Sequence, residues 1–389
     1  MTSEGNSPIY VPADAIDVSA VTRVLVIMLK HHGDVLLTSP LLESLSRAVP
    51  HVQIDVLLQD DMRPLLEFNP RVSNLFSVDR RWKREGRLAS ILGEWRLFRA
   101  LRARSYELVI HLSDHRRGAW LSRGLQPRWS VAPKPGRPSR FWRGSFTHLY
   151  ANASSVPAGS ALARRHTVEQ NLDALRRLGI SLASSPRLSL VPGPDGERQA
   201  ADLVHSHGIT GDYIVVQPTS RWMFKCWPVA KNAELIRILL ARGHTLVLSC
   251  APDPREQAMI RAILEVIGER PERLILAIEG GTLNRLAALI GNARLFIGID
   301  SAPMHIAAAM GTPTVALFGP SGEYNWGPWA GDGALHYRVV TNEQFACRPC
   351  GQDGCGGGKI SECLVRLPVL QVLRAVDEVL LASDPTFCL

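Results

Sequence analysis

The chain has 389 residues, 46% of them hydrophobic and 21% charged, with a formal net charge of +8. That length exceeds one ordinary core and predicts two domains of roughly 150–200 residues each, while no apolar run approaches the ~20 residues that a bilayer-spanning helix needs, which argues against an integral membrane protein. Residues 1–20 mix acidic and small polar positions without a basic start and an apolar stretch, so a flexible tail, no secretory leader and a cytoplasmic location are expected, and the seven cysteines then read as thiols or a metal site, not as a disulfide framework.

In chain order, residues 24–29 form an apolar run that ends in Lys30-His31-His32-Gly33-Asp34, after which helical periodicity begins: strand, glycine-bearing turn, helix. Strands are predicted near 52–58, 73–78, 106–112 and 128–132, separated by helices around 36–48, 61–68, 88–103 and 115–124, with a further helix at 166–179. The proline- and glycine-rich stretch 181–196 reads as a linker. Beyond it the alternation resumes: helix 197–207, strand 213–217, helix 228–242, strand 245–249, helix 254–267, strand 273–277, helix 282–291, strand 294–299, helix 303–310, strand 313–318. The fold class is therefore α/β, with one doubly wound parallel sheet in 21–180 and a second in 197–389. Ligands of such sheets lie outside the strand carboxyl ends, so the two domains are expected to face a central cleft.

Three polar turns fall at those carboxyl ends. Asp34 is either an N-cap of the helix that follows it or a general base, and the two roles are compatible; His31 or His32 could tune it. The stretch 217–228 combines Thr219, Ser220, Arg221 and Lys225 between a buried strand and a helix, which suits a phosphate grip with Lys225 as a point charge. Its bland reading is a polar loop in which Trp227-Pro228 opens the helix. Finally, 295–299 ends in Asp300-Ser301-Ala302-Pro303-Met304-His305, where cap-type residues and a first-turn proline mark a helix N-terminus, an anion-attracting position.

Cys347, Cys350, Cys355 and Cys363 lie within seventeen residues of a glycine-rich stretch, a spacing compact enough for a structural metal but unlike the usual paired zinc knuckles; free thiols are the competing reading. Basic residues concentrate in the first half, from Arg80, Arg81, Lys83 and Arg84 through Arg87, Arg96, Arg99, Arg102 and Arg104 to Lys134, Arg137, Arg140 and Arg143. They serve either as a solvated surface or to meet an anionic partner. Nucleic acid fits the charge but no reader motif is present; a phosphorylated glycolipid or an anionic membrane surface fits equally, with Trp82, Trp95, Phe141 and Trp142 as interfacial aromatics. No nucleophile elbow, Walker loop or dinucleotide fingerprint occurs in a plausible context, which disfavours hydrolase, P-loop and dinucleotide redox readings.

Taken together, Gly33-Asp34-Val35-Leu36-Leu37-Thr38, Lys225-x-Trp227-Pro228, and Gly298-x-Asp300-Ser301-x-Pro303-Met304-His305 through Leu317-Phe318-Gly319-Pro320 resemble glycosyltransferase family 9, the ADP-heptose:lipopolysaccharide heptosyltransferases, over about residues 22–380. Lys30-His31-His32-Gly33-Asp34 and the 351–357 stretch look most like heptosyltransferase subgroup III. The resemblance implies a GT-B fold of two Rossmann-like domains and an inverting transfer from ADP-heptose to a heptose of the lipopolysaccharide inner core, the third core heptose. It implies Asp34 as base, Thr219, Ser220 and Lys225 on the diphosphate, and Asp300, Ser301, Ala302 and His305 at the donor, whose ribose hydroxyls Asp253 or Glu256, after strand 245–249, could hold by position. No cofactor is required for catalysis on this reading, because a cation and helix amides can stabilise departing ADP in place of a divalent ion. The acceptor is anionic and lies at the cytoplasmic face of the inner membrane, so peripheral association is implied. Rival readings are another core position, a protein acceptor, a nucleotide-sugar epimerase of the same fold, and a non-catalytic nucleic-acid binder.

Overall fold

Apolar runs flanked by polar turns build the central strands of two parallel sheets. The computed structural model describes residues 12–156, 160–182, 186–278, 280–333 and 335–383, and the chain divides into two compact units, Met1–Pro186 and Arg187–Leu389. Within the expected 1–20 tail, residues 1–11 lie outside the described residues; of the remainder, Ile16 is buried and its N–H donates to Leu178 O at 3.0 Å, while Asp14 pairs with Arg177 at 2.7 Å.

The first unit holds β1 (Arg23–Ile27), β2 (Gln53–Gln59), β3 (Asn74–Val78), β4 (Leu108–His111), β5 (Trp129–Pro133) and β6 (His148–Tyr150) in the order β3-β2-β1-β4-β5-β6, all parallel. The chain leaves the middle of the sheet in one direction after β1 and in the other at β4, so β1 and β4 flank the switch point. Leu25, Ile27, Leu57 and Val109 from the central strands pack with Leu97 and Leu101 of the helix Arg87–Arg102 in one core cluster. Asp55 on β2 is fully buried, and Arg104 Nε, Tyr106 OH and Asn74 Nδ2 donate to it at 2.8, 2.8 and 2.9 Å; a buried carboxylate survives only with such partners.

The second unit holds β7 (Tyr213–Gln217), β8 (Thr245–Leu248), β9 (Leu274–Leu276), β10 (Leu295–Ile299), β11 (Thr314–Phe318) and β12 (Tyr337–Thr341), ordered β12-β11-β10-β7-β8-β9. Here β7 and β10 flank the switch point, in register Gly298↔Gln217. Gly298 is required at that crossing: a Cβ there would lie 2.6 Å from the Phe296 ring and 3.3 Å from Gln217 O. The core between this sheet and its helices is built around Trp227, which is wholly buried and donates Nε1–H to Leu367 O at 3.2 Å.

The structure departs from the expected elements at a few places. The helix expected over 36–48 is two helices, His32–Leu36 and Ser39–Ala48, parted where Pro40 cannot donate into a continuous turn. Residues 61–68 form a 3-10 turn, Asp60–Leu65, with Pro64 inside. The helix expected from 197 begins at Gly193, with Pro194 in its first turn.

Candidate functional site

At the first switch point, β1 ends and the short helix His32–Leu36 begins within a few residues, which places Asp34 at its third position. The His31 backbone N–H donates to Asp34 Oδ2 at 3.1 Å, so the carboxylate does cap the turn. It is also 6% exposed. Burial raises its pKa above the ordinary carboxylate value, opposed by the nearby Lys30 charge and the His31 hydrogen bond; desolvation disfavours the anion and thereby makes it a better proton acceptor. Lys30 Nζ lies 3.9 Å from Asp114 Oδ1, on the loop after β4, so that pair spans the two strands of the switch point. Beside it His111 is wholly buried, touches His115 O through Nε2 at 3.1 Å, and has its pKa pushed down to about 4 by desolvation; it is neutral at physiological pH. His32 approaches Asp61 at 3.9 Å and burial lowers its pKa.

At the second switch point the loops after β7 and β10 are joined by an ion pair. Lys225 Nζ donates to Asp300 Oδ2 at 2.5 Å, with both side chains largely buried, and the same ammonium sits 4.8 Å from the Trp222 ring centroid. Asp300 precedes the helix Ala302–Met310, whose N-cap Ser301 is extended and makes no side-chain capping bond; its hydroxyl donates back to Ile299 O at 3.3 Å. The start of this helix therefore carries no side-chain cap, and with the amides of Ser301 and Ala302 at its mouth it favours negative charge. His305 is buried one turn further on.

Thr219 and Ser220 are buried in the same loop. Thr219 Oγ1 donates to Glu256 Oε2 at 2.7 Å and accepts from Gln217 Nε2 at 3.2 Å, while Ser249 Oγ donates to Gln217 Oε1 at 2.6 Å. Ser220 Oγ accepts the Trp222 N–H at 3.2 Å. These hydroxyls shape the loop by internal bonds. Glu256 is buried with Thr219, and Asp253 caps the helix Pro254–Ile267 by accepting the Arg255 N–H at 2.9 Å. Each of the two carboxylates considered for ribose thus has a local structural partner.

The cysteine cluster does not converge. Cys347, Cys350 and Cys355 are exposed while Cys363 is buried on the short helix Glu362–Val365, and among the described residues no three His, Cys, Asp or Glu side chains gather as a metal-binding group. Burial pushes the Cys363 thiol pKa up, with Cys355 and Cys350 near enough to add to the effect. The loop's organisation comes instead from backbone contacts: Gly351 N–H to Pro320 O at 2.9 Å, Cys355 N–H to Ile360 O at 2.7 Å, and Arg348 Nε–H to Gly319 O at 2.7 Å. The spacing suggested a structural metal; among the described residues the thiols are not gathered into a donor set, although Cys355 Sγ accepts the Glu362 N–H at 3.4 Å, beside Cys363.

Sequence reasoning missed the residues that brace Lys225. Ser361 Oγ donates to Phe224 O at 2.6 Å, Asn232 Nδ2 donates to Trp227 O at 2.9 Å, and buried Trp227 anchors the loop two residues after the lysine. The Trp227-Pro228 pair in the motif was the available signal.

The family model described as glycosyltransferase family 9 (heptosyltransferase) matches residues 94–360. Lipopolysaccharide heptosyltransferase 3 of Escherichia coli is 38% identical over 306 residues, covering 78% of this chain and 85% of that protein. Among solved structures, the glycosyl transferase family 9 protein of Veillonella parvula superposes with a TM-score of 0.78 at 26% identity, over 95% of this chain and 100% of the other. The E. coli ADP-heptose lps heptosyltransferase II structure shares the fold, with a TM-score of 0.70 at 19% identity over 93% and 99% of the two chains.

Proposed function

This chain belongs to glycosyltransferase family 9 and is a glycosyltransferase of GT-B type, and from that premise we propose that it moves L-glycero-D-manno-heptose from ADP-heptose onto a heptose of the lipopolysaccharide inner core, the third core heptose. The observation that carries the reading is the buried Lys225–Asp300 pair at the uncapped start of the helix Ala302–Met310, a cation and a set of amides at one switch point. The name of the E. coli relative supplies the sugar and the acceptor class.

The proposed chemistry is a single inverting displacement. Asp34 removes the proton from an acceptor hydroxyl; the oxygen forms a bond to the anomeric carbon of the donor as the bond from that carbon to the diphosphate oxygen breaks, and ADP departs with the electron pair. Desolvation of Asp34 suits a base. Lys225 and the amides of Ser301 and Ala302 take up the charge that develops on the diphosphate, which is the larger contribution to such transfers. Asp300 holds the ammonium in place and, with His305, borders the donor sugar; Thr219 and Ser220 keep the loop in shape around the diphosphate. The acceptor is an anionic glycolipid at the cytoplasmic face of the inner membrane, and the basic surface of the first unit suits it.

The test is ADP release from ADP-heptose by chelator-treated protein, with and without purified inner-core lipopolysaccharide carrying two heptoses. Release that depends on this acceptor supports the reading. Turnover of the nucleotide-sugar without acceptor, or release only with a protein acceptor, overturns it in favour of an epimerase or a protein heptosyltransferase.

A further inference from the structure

The helix Arg87–Arg102 is apolar on two opposite sides. Gly93, Leu97 and Leu101 are buried against the first sheet, with Trp82 packed on Gly93. On the other side Leu88, Ile91, Leu92 and Trp95 are exposed by 79, 65, 47 and 53%. At ~100° per residue these four fall within an arc of roughly 100°, about half a turn from the buried one. Such a stripe is a cost to a protein surface unless something covers it.

Its electrostatic surroundings select the occupant. Arg99 and Arg102 continue the same arc, with the Arg99 guanidinium 4.7 Å from the Trp95 ring centroid, and Arg84 and Arg87 stand at its other end. The only acids between residues 80 and 104 are Glu85, before the helix, and Glu94, which is off the stripe and paired with Arg117. Two copies joined through this stripe would set arginines against arginines, with Glu85 at its margin as the one acid of the 80–104 stretch not paired with Arg117. An anionic bilayer supplies both phosphates for the arginines and an apolar layer for Leu88, Ile91, Leu92 and Trp95, and a tryptophan with an arginine guanidinium over its ring suits the headgroup boundary. We infer that the outer face of the helix Arg87–Arg102 is a membrane-docking surface that lies in the headgroup layer of anionic phospholipid. This deepens the reading of a lipid-borne acceptor and rests on it for its purpose, not for its chemistry.

The test uses the full chain and sedimentation with vesicles of phosphatidylglycerol and phosphatidylethanolamine that contain no glycolipid. Wild type is expected to partition onto these vesicles, and much less onto phosphatidylcholine alone. The variant L88S/I91S/L92S/W95S changes only exposed side chains and should keep its Tm while losing roughly tenfold or more of its partition coefficient; R84E/R87E/R99E should lose the preference for anionic lipid. The serine variant should release ADP at the wild-type rate with a deacylated, soluble acceptor and more slowly with acceptor embedded in vesicles. Absence of vesicle binding by wild type, or equal binding by the serine variant, overturns the inference. So does sedimentation equilibrium showing a wild-type dimer that the serine variant converts to monomer without changing vesicle binding. Vesicle binding with no heptose transfer to any acceptor leaves the docking surface in place and removes the proposed activity instead.

Discussion

The two units share one topology, and their switch points have been put to different use. In the first, the pair that spans the central strands, Lys30 with Asp114, is long at 3.9 Å and exposed, while the buried group is an acid, Asp34, with its pKa raised. In the second, Lys225 and Asp300 are in contact at 2.5 Å and largely buried. The same strand order therefore yields a desolvated proton acceptor on one sheet and a preformed cation at a helix N-terminus on the other. The difference lies in the loops: a short helix after β1 buries Asp34 beside its own backbone, whereas the longer loop after β7 carries Lys225 across to β10.

The sharpest way to break this comparison is Asp34→Asn. It should lower transfer by about 10²–10⁴-fold, the usual scale of general-base loss, while ADP affinity measured by calorimetry stays at the wild-type value; near-normal turnover would remove Asp34 as base. The variant also reads the burial cost. Because the folded pKa of Asp34 lies above its unfolded value, the folded state binds that proton more tightly, and stability falls as pH rises from the ordinary carboxylate range through the folded pKa. The substituted amide has no charge to bury. Tm of the Asp34→Asn variant should equal or exceed the wild-type value at neutral pH, with the advantage vanishing in acid.

Next in size is Lys225→Ala, which leaves Asp300 buried without its cation. Donor affinity and transfer should fall together by roughly 10–100-fold, as for loss of a charged hydrogen bond, and Tm should drop as well. The double variant Lys225→Ala/Asp300→Ala should recover part of that stability, with a coupling of about 1–3 kcal/mol in a double-mutant cycle; strict additivity would show that the pair does not act as a unit. Gly298→Ala strains the β7–β10 crossing and should cost about 1–3 kcal/mol in urea unfolding, where an unchanged midpoint would contradict the close approach. The smallest effect is expected from Lys30→Ala. Its positive charge lowers the Asp34 pKa, so its removal should move the acid limb of the kcat/KM profile to higher pH. A shift in the opposite direction would mean that Lys30 does not act on Asp34 through its charge.

Much of this was legible beforehand, for identifiable reasons. Central strands such as β7 and β10 are unbroken apolar runs because both faces are covered, and each ends in a polar turn, which is how Asp34, Lys225 and Asp300 stood out. Of the four edge strands, β3 and β9 were legible while β6 and β12 were missed: His148-Leu149-Tyr150 is only three residues long, and Tyr337-Arg338-Val339-Val340-Thr341 opens on two exposed residues, one of them charged. The cysteine spacing constrains reach along the chain but not packing, and among the described residues the four thiols are not gathered into one donor set.

The order of elements, the α/β class and the loops that carry charge at strand ends follow from the sequence by itself, since hydrophobic period and turn chemistry are local properties. Which strands become neighbours is not local. The tertiary structure alone set β7 beside β10, and with it the Lys225–Asp300 pair, whose members are 75 positions apart, and the Thr219–Glu256 bond across 37. It also decided that Asp34 is desolvated and that one apolar side of the helix Arg87–Arg102 is left exposed. Burial and ion pairing depend on what packs around a residue, and that is decided by the whole core rather than by the residue's neighbours in the chain.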